Sequence, residues 1–374
     1  MDATAANNLE ERDIENKIDS VTSKIGKALN GGEFIETPFD QPFEEEQRGD
    51  PDQRDDDQNF SGERIARNLE GILKKDVHSV IHQERIKFFL DGSLRTKFLG
   101  EYVNGDNTFP ILAAEVACAT MKKSLKELES AAVVWRLEFI FPHKDTGLVA
   151  DTQYEKLKAI GDTLMRSKSP FRIEFLQKTE VRDVRYSMQG KARDIMHSLE
   201  HEVANLLTRN KNEWLIMDGA IRKAEFLTLK DTIGVAKSFS RKPLFQVGNN
   251  IINITKYLSQ IKEGERSAIF RMDSAPDVAF WYIRLRTFPP MEPLGGFVKI
   301  DLKLADDSVA PDDIALIDQI SSEIFSIRNP SVYPYPRWPS FLYPIRVAEE
   351  TMQSTFLNEE MLGLYGHMLK QAME

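Results

Sequence analysis

Phe88-Phe89-Leu90-Asp91-Gly92-Ser93 is an apolar run that stops on a carboxylate, and Trp214-Leu215-Ile216-Met217-Asp218-Gly219-Ala220 repeats the device further along the chain. Asp-Gly is also a common β-turn signal, so each copy alone reads equally well as a hairpin tip. The flanking residues favour another use. Each aspartate follows large apolar residues directly, and a carboxylate there is costly unless it faces a cation or water. Two strands ending in this way can deliver two carboxylates to one metal ion.

Working outward, the pattern predicts a helix near 64–75 and strands at Ile86–Leu90, Thr96–Val103 and Pro110–Thr120, the last two neighbours in a meander. Helical spacing follows at 119–130, then a strand at Val133–Phe141, a helix at 153–167, a strand at 171–176 and a long helix at 191–209. After the second Asp-Gly strand come Thr232–Ser238, a helix near 251–262, and strands at Ser267–Met272, Ala279–Leu285 and Gly296–Leu302. Helices at 311–326 and 345–372 close the chain. Strands that open as a meander and then mix with helices predict one α/β domain over 64–374, with a mixed sheet flanked by helices.

The bulk composition bounds the class. The 374 residues are 41% hydrophobic and 29% charged, an ordinary globular mixture. No stretch approaches the roughly 18–20 apolar residues of a membrane span, and the polar start Met1-Asp2-Ala3-Thr4 is no signal peptide. The single cysteine, Cys118, excludes an intrachain disulfide and fits a reducing, cytoplasmic setting. The net charge of −10 is unevenly spread: residues 1–63 hold 18 acids and 6 bases, whereas the remainder is near neutral. Acidity therefore belongs to an N-terminal extension, and the body can still carry a basic groove for nucleic acid. Within the extension, Leu9, Ile14, Ile18, Val21, Ile25 and Leu29 mark an amphipathic helix that folds back on the body or docks on a partner. Residues 31–63 read as an acidic, disordered linker, able to shield a basic channel.

Carboxylates aimed into a pocket suit phosphodiester chemistry. Mg²⁺ and Mn²⁺ take hard oxygen ligands, and such sites draw on three or more acids. The helix before the second Asp-Gly strand offers Asp194, Glu200 and Glu202. Glu200 shares a face with Met196, Val203 and Leu207, so it points further toward the core than Glu202. The same helix contains His197-Ser198-Leu199-Glu200-His201, an H-x-x-E-H pattern that would instead specify a zinc peptidase. That alternative leaves both Asp-Gly strands without a role.

The order of these elements, strand-Asp-Gly-Ser, helix with Leu199-Glu200, strand-Asp-Gly, then Ile233-Gly234-Val235-Ala236-Lys237-Ser238, resembles the NurA nucleases over about residues 80–360. The late Tyr/Pro segment leading into Ala348 and a final helix fits the same pattern. The resemblance implies an RNase H-like core and a Mn²⁺- or Mg²⁺-dependent deoxyribonuclease. It also implies a homodimer that works on DNA with a HerA-type hexameric translocase, in DNA end processing or defence against foreign DNA. By the same resemblance Asp91, Glu200 and Asp218 are metal ligands, and Lys237 stands near the scissile phosphate. Glu349 occupies the position of the family's histidine, either as an oxygen ligand in its place or as the mark of an altered site. Tyr335 or Tyr343 matches the family tyrosine. Segment 330–344 interleaves Tyr335, Arg337, Trp338 and Tyr343 with prolines, suited to stacking single-stranded bases or to packing in the core. Arg222-Lys223 and Arg241-Lys242 flank the site in sequence. A non-catalytic subunit that keeps the fold and only binds DNA or a partner is the alternative that Glu349 leaves open.

Overall fold

The computed structural model describes residues 11–37, 44–45, 65–78, 84–125, 127–176, 183–221, 225–240, 244–247, 249–273, 275–287, 294–304, 309–330, 340–357 and 359–374. Most of the acidic linker, both basic pairs (Arg222-Lys223 and Arg241-Lys242), and Tyr335, Arg337 and Trp338 lie outside the described residues.

Helix α1 (Glu11–Ala28) opens the described chain, followed by short strands β1 (Glu33–Glu36), β2 (Glu44–Glu45), β3 (Ile65–Asn68) and β4 (Lys74–Asp76). Three long strands, β5 (Ile86–Asn104), β6 (Asn107–Lys123) and β7 (Leu128–Phe141), then form an antiparallel meander. Next come α2 (Asp151–Arg166), β8 (Phe171–Phe175), α3 (Val184–Leu206), β9 (Trp214–Asp218) and β10 (Thr232–Ala236). The second half holds β11 (Leu244–Val247), β12 (Asn250–Asn253), α4 (Ile254–Leu258), β13 (Glu265–Ser267), β14 (Phe270–Met272), β15 (Ala275–Arg284) and β16 (Phe297–Lys303). It ends in α5 (Pro311–Ser326), α6 (Tyr343–Gln353) and α7 (Glu359–Met373).

The strands join in one mixed sheet of 16, flanked by helices as the sequence predicts. At its centre β5 lies parallel to β9 and β9 parallel to β10, while β16 and β15 continue antiparallel beyond β10. The period of two along each strand divides the core. Phe89, Ile216, Val235 and Ile300 pack under α5 and α6 against Ile317, Ile320, Ile324, Ile345, Ala348 and Met352. On the opposite face Phe88, Leu90, Val116, Cys118, Leu215 and Met217 meet Met188, Leu199 and Val203 of α3. Among the described residues, no helix is long and apolar enough to cross a membrane.

The helices expected near 64–75 and 119–130 do not form. Residues 65–76 supply β3 and β4, too short to show a period and completed by pairing with distant β14, β11 and β13. Residues 119–130 hold the end of β6, which contains the expected strand Pro110–Thr120 and is buried on both faces along most of its length, and the start of β7. A strand covered on both sides loses alternation, and its apolar run cannot be told from a helix by periodicity. The helix expected at 251–262 begins as β12 before the single turn of α4, and the one at 345–372 divides into α6 and α7. Of the two placements open to the N-terminal helix, α1 takes the first. Ile18, Val21, Ile25 and Leu29 are buried with Leu157 of α2 and Tyr365 and Leu369 of α7.

Candidate metal centre

The two Asp-Gly copies behave differently. At the second, β9 stops, and Gly219 turns the chain at φ 109°, a conformation that glycine adopts without strain. At the first, β5 runs on without a break through Gly92 to Asn104, so the strand does not end on its aspartate. Gly92 has another function. A Cβ there would lie 2.5 Å from Oε1 of Glu200, so the missing side chain makes room for the α3 carboxylate against the strand beside Asp91.

Alternation fixes where the acids go. Asp91 shares the α5/α6 face with Phe89, and Asp218 shares it with Ile216; Leu90 and Met217 are cross-strand partners just before them. Val235 pairs with Asp218 and carries the same parity onto Lys237, just past the end of β10. Gly234 allows the close passage of the turn: a Cβ there would come 2.6 Å from the Gly219 carbonyl. Above these strand ends, Pro344 in the first turn starts α6 with its fixed φ. Burial of Ile345, Ala348 and Met352 orients the helix, and Glu349 follows Ala348 over the strand ends.

Ligand oxygens of Asp91, Asp218 and Glu349 all lie within 4.8 Å of one another. Lys237 is set among them, with Nζ 3.0 Å from Oδ2 of Asp218 and 3.0 Å from Oε1 of Glu349. The ammonium also lies over the Phe341 ring, 4.3 Å from its centroid. Asp91 is 2% exposed, and the side chains of Lys237, Asp218 and Glu349 retain 9%, 11% and 18% of their exposure. Three carboxylates against one ammonium leave two formal negative charges in a largely dehydrated spot. A divalent cation with oxygen preference compensates that charge, and the donor set is of the type Mg²⁺ and Mn²⁺ use. Asp91, Asp218 and Glu349 are therefore the residues that could hold an ion.

Glu200 stands apart from this trio. It is buried, as its helical face predicts, and reaches the sheet at Gly92 from the α3 side; its Oε2 lies 2.9 Å from Nδ1 of His197. The expected grouping of Asp91, Glu200 and Asp218 thus changes membership: Glu349 is the third acid of the cluster, and Glu200 borders it through the strand backbone. Glu202 and Asp194 face a separate cleft with Arg136 and Lys191, and Arg136 binds Glu202 at 2.8 Å. Among the described residues, His197 and His201 belong to no group of three potential metal ligands, since His197 is held by Glu200 and His201 contacts Asn205. Tyr343 is 47% exposed at the start of α6, where its N–H donates to the Ile327 carbonyl. Phe341, the ring under Lys237, carries no local signal that singles it out within its aromatic segment.

Among the buried acids outside the cluster, Glu115 and Glu138 have raised carboxyls. Glu115 accepts from Trp135 Nε1 and the Leu357 N–H, yet burial pushes its carboxyl up to about 7. Glu138 is raised to about 8, chiefly by burial and then by the neighbouring charge of Glu174.

No family model matches this sequence, and no curated protein matches it. The fold is similar to the crystal structure of the NurA nuclease from Sulfolobus solfataricus at a TM-score of 0.36 and 11% sequence identity, covering 81% of this chain and 89% of that one.

Proposed function

We propose that the chain is a divalent-metal-dependent nuclease that hydrolyses DNA phosphodiester bonds, with Mn²⁺ or Mg²⁺ held by Asp91, Asp218 and Glu349. The observation that carries this reading is the meeting of those three carboxylates, from two parallel strands and a distant helix, around one buried lysine. Such an ion, when bound, supplies Lewis-acid polarisation of a phosphoryl oxygen and a water of lowered pKa. The chain's own residues do the rest. Asp91 and Asp218 are fixed by strand register, so their oxygens stay in place as charge develops at phosphorus. Glu200, held by His197 on the opposite face of β5, braces the strand at Gly92 and so helps hold Asp91 in place. Lys237 bridges Asp218 and Glu349 and offsets one of their two charges in the protein alone. With those acids engaged by a cation, its ammonium serves as a point charge for a non-bridging phosphate oxygen. In this reading Glu349 is an oxygen ligand in place of the family's histidine.

The sequence resemblance extends the proposal to a homodimer fed by a HerA-type hexameric translocase. The Lys237 bridge supports a second reading, a non-catalytic DNA-binding subunit, because it offsets part of the acids' charge without metal. Incubating the protein with end-labelled DNA and Mn²⁺, with and without EDTA, separates the two. A nuclease cuts only with the metal, and Asp91→Asn and Asp218→Asn each abolish cutting while thermal unfolding stays cooperative. Cutting that survives both substitutions, or no cutting by the native chain, rejects the enzyme reading.

A further inference from the structure

Three arginines collect on the same rim of the sheet as the acid cluster. Ala236 of β10 pairs with Lys299 of β16, and at the start of β16 Phe297 pairs with Arg284 of β15. Lys237 and Arg284 thus stand within about one residue of the same level, two strand spacings or roughly 10 Å apart along the sheet, with Lys237 on the α5/α6 face and Arg284, beside Phe297, on the other. Arg286 follows just beyond β15, and Arg328 just beyond α5. A continuous set of contacts links them to the cluster. Lys237 lies on the Phe341 ring, the Asn329 N–H donates to the Phe341 carbonyl at 2.9 Å, and Arg286 Nη2 donates to the Asn329 carbonyl at 3.1 Å.

These cations are poorly compensated among the described residues. Among the described residues, the acid that acts on them is Glu263, whose Oε1 is 3.7 Å from Arg286 Nη1. Otherwise they meet carbonyls and rings: Arg284 donates to the Ile261 carbonyl and lies over Phe297, and Arg328 donates to the Phe325 carbonyl and stacks on that ring at 3.8 Å. The Nε of all three is buried with no acceptor. Burial holds Arg284 and Arg328 below the usual guanidinium range, and Arg286 adds repulsion on Arg328. A cation near a helix C-terminus is ordinary, which accounts for Arg328 alone. It does not account for two more arginines beside it with one carboxylate among three in the described residues.

We infer that Arg284, Arg286 and Arg328 form a phosphate-binding rim that takes the backbone of the nucleic-acid strand flanking the scissile bond. The inference rests on the nuclease reading and adds where the substrate runs: from the acids, past Lys237 and Phe341, toward the β15 end. Guanidinium forks match phosphate oxygens in pairs, and partial burial sets them in place before the strand arrives.

The test is the salt dependence of binding. Full-length protein is titrated against a fluorescein-labelled single strand with Ca²⁺ replacing Mn²⁺, from 50 to 300 mM salt, and cleavage is followed separately in Mn²⁺. Each phosphate contact contributes about 0.7 to the slope of log K against log salt for a single strand, so Arg286→Gln/Arg328→Gln lowers the slope by about 1.4 and affinity by roughly 10- to 25-fold at 100 mM. Arg286→Lys/Arg328→Lys restores most of the slope, and Lys156→Gln/Lys158→Gln on α2 leaves it unchanged. Since Arg328 supports the end of α5, Arg286→Gln alone is measured too, with a slope change of about 0.7 expected. Native slope in the variants, while the wild type binds and cuts, overturns the rim and leaves the nuclease reading intact. A wild type that neither binds nor cuts overturns both. Tighter binding by the variants also overturns the rim, because it assigns the arginines to the chain's own acidic segment.

Discussion

Replacing Lys237 by methionine separates its two possible roles, and the structure sets the size of the effect. Each of its carboxylate contacts, at 3.0 Å, is a gross attraction of roughly 5–6 kcal/mol at an effective dielectric near 20. Desolvation of the ammonium takes back most of this, as is usual for buried pairs, so truncating one partner costs about 3 kcal/mol. Methionine keeps the stem and its packing on Phe341, so the loss is mainly electrostatic. For a chain of this length the unfolding entropy is about 0.8 kcal/mol per kelvin, and 3 kcal/mol lowers Tm by about 4 °C in EDTA. The variant leaves three carboxylates facing one another, an environment that binds a divalent ion more tightly than the native site. At a hundredfold excess over its Kd an ion contributes about 2.7 kcal/mol. Mn²⁺ therefore recovers most of the lost Tm, and its stabilising shift is larger in Lys237→Met than in the native chain. Differential scanning fluorimetry in EDTA and across a Mn²⁺ series measures both quantities. A variant as stable as the native protein in EDTA, or one whose Tm does not respond to Mn²⁺, refutes the assignment of these acids to a cation.

Two further outcomes follow from buried groups. Glu138→Gln is expected to stabilise the protein at alkaline pH. The native carboxyl, raised to about 8 from an ordinary 4.5, keeps its proton when the unfolded chain has lost it; stability is fully present below 4.5 and declines as pH rises through 8. The variant's gain, on the order of 5 kcal/mol above pH 8, vanishes near pH 4.5; urea titrations at pH 4.5, 7 and 9 read it, and a constant difference would contradict the burial argument. Gly92→Ala forces the Glu200 carboxylate off the strand, since the new methyl meets its Oε1 at 2.5 Å. A cost of about 1–3 kcal/mol with cleavage reduced further than stability is expected, and Gly92→Ala/Glu200→Ala should recover the stability but not the activity.

The sequence alone placed Asp91 and Asp218, because a carboxylate after an apolar strand is a local statement and strand parity then aims both to one face. It also supplied the mixed α/β class and the inward turn of Glu200 along its helix, whereas Lys237 entered only through the family resemblance. It found the strand Pro110–Thr120 within β6 but read a helix over 119–130, where β6 ends and β7 begins. It also took Asp91 for a strand end, whereas β5 continues because Glu200 and not a turn requires Gly92.

Only the tertiary structure decided which third acid joins the pair. Glu200 and Glu349 both sit on helices that cover the central strands, and their local patterns do not distinguish them. The choice depends on which face of the sheet each helix covers: α3 packs beneath Leu90 and Met217, α6 above Phe89 and Ile216. That assignment is made by chain crossovers and by burial summed over whole helices, which no window of sequence around either glutamate contains.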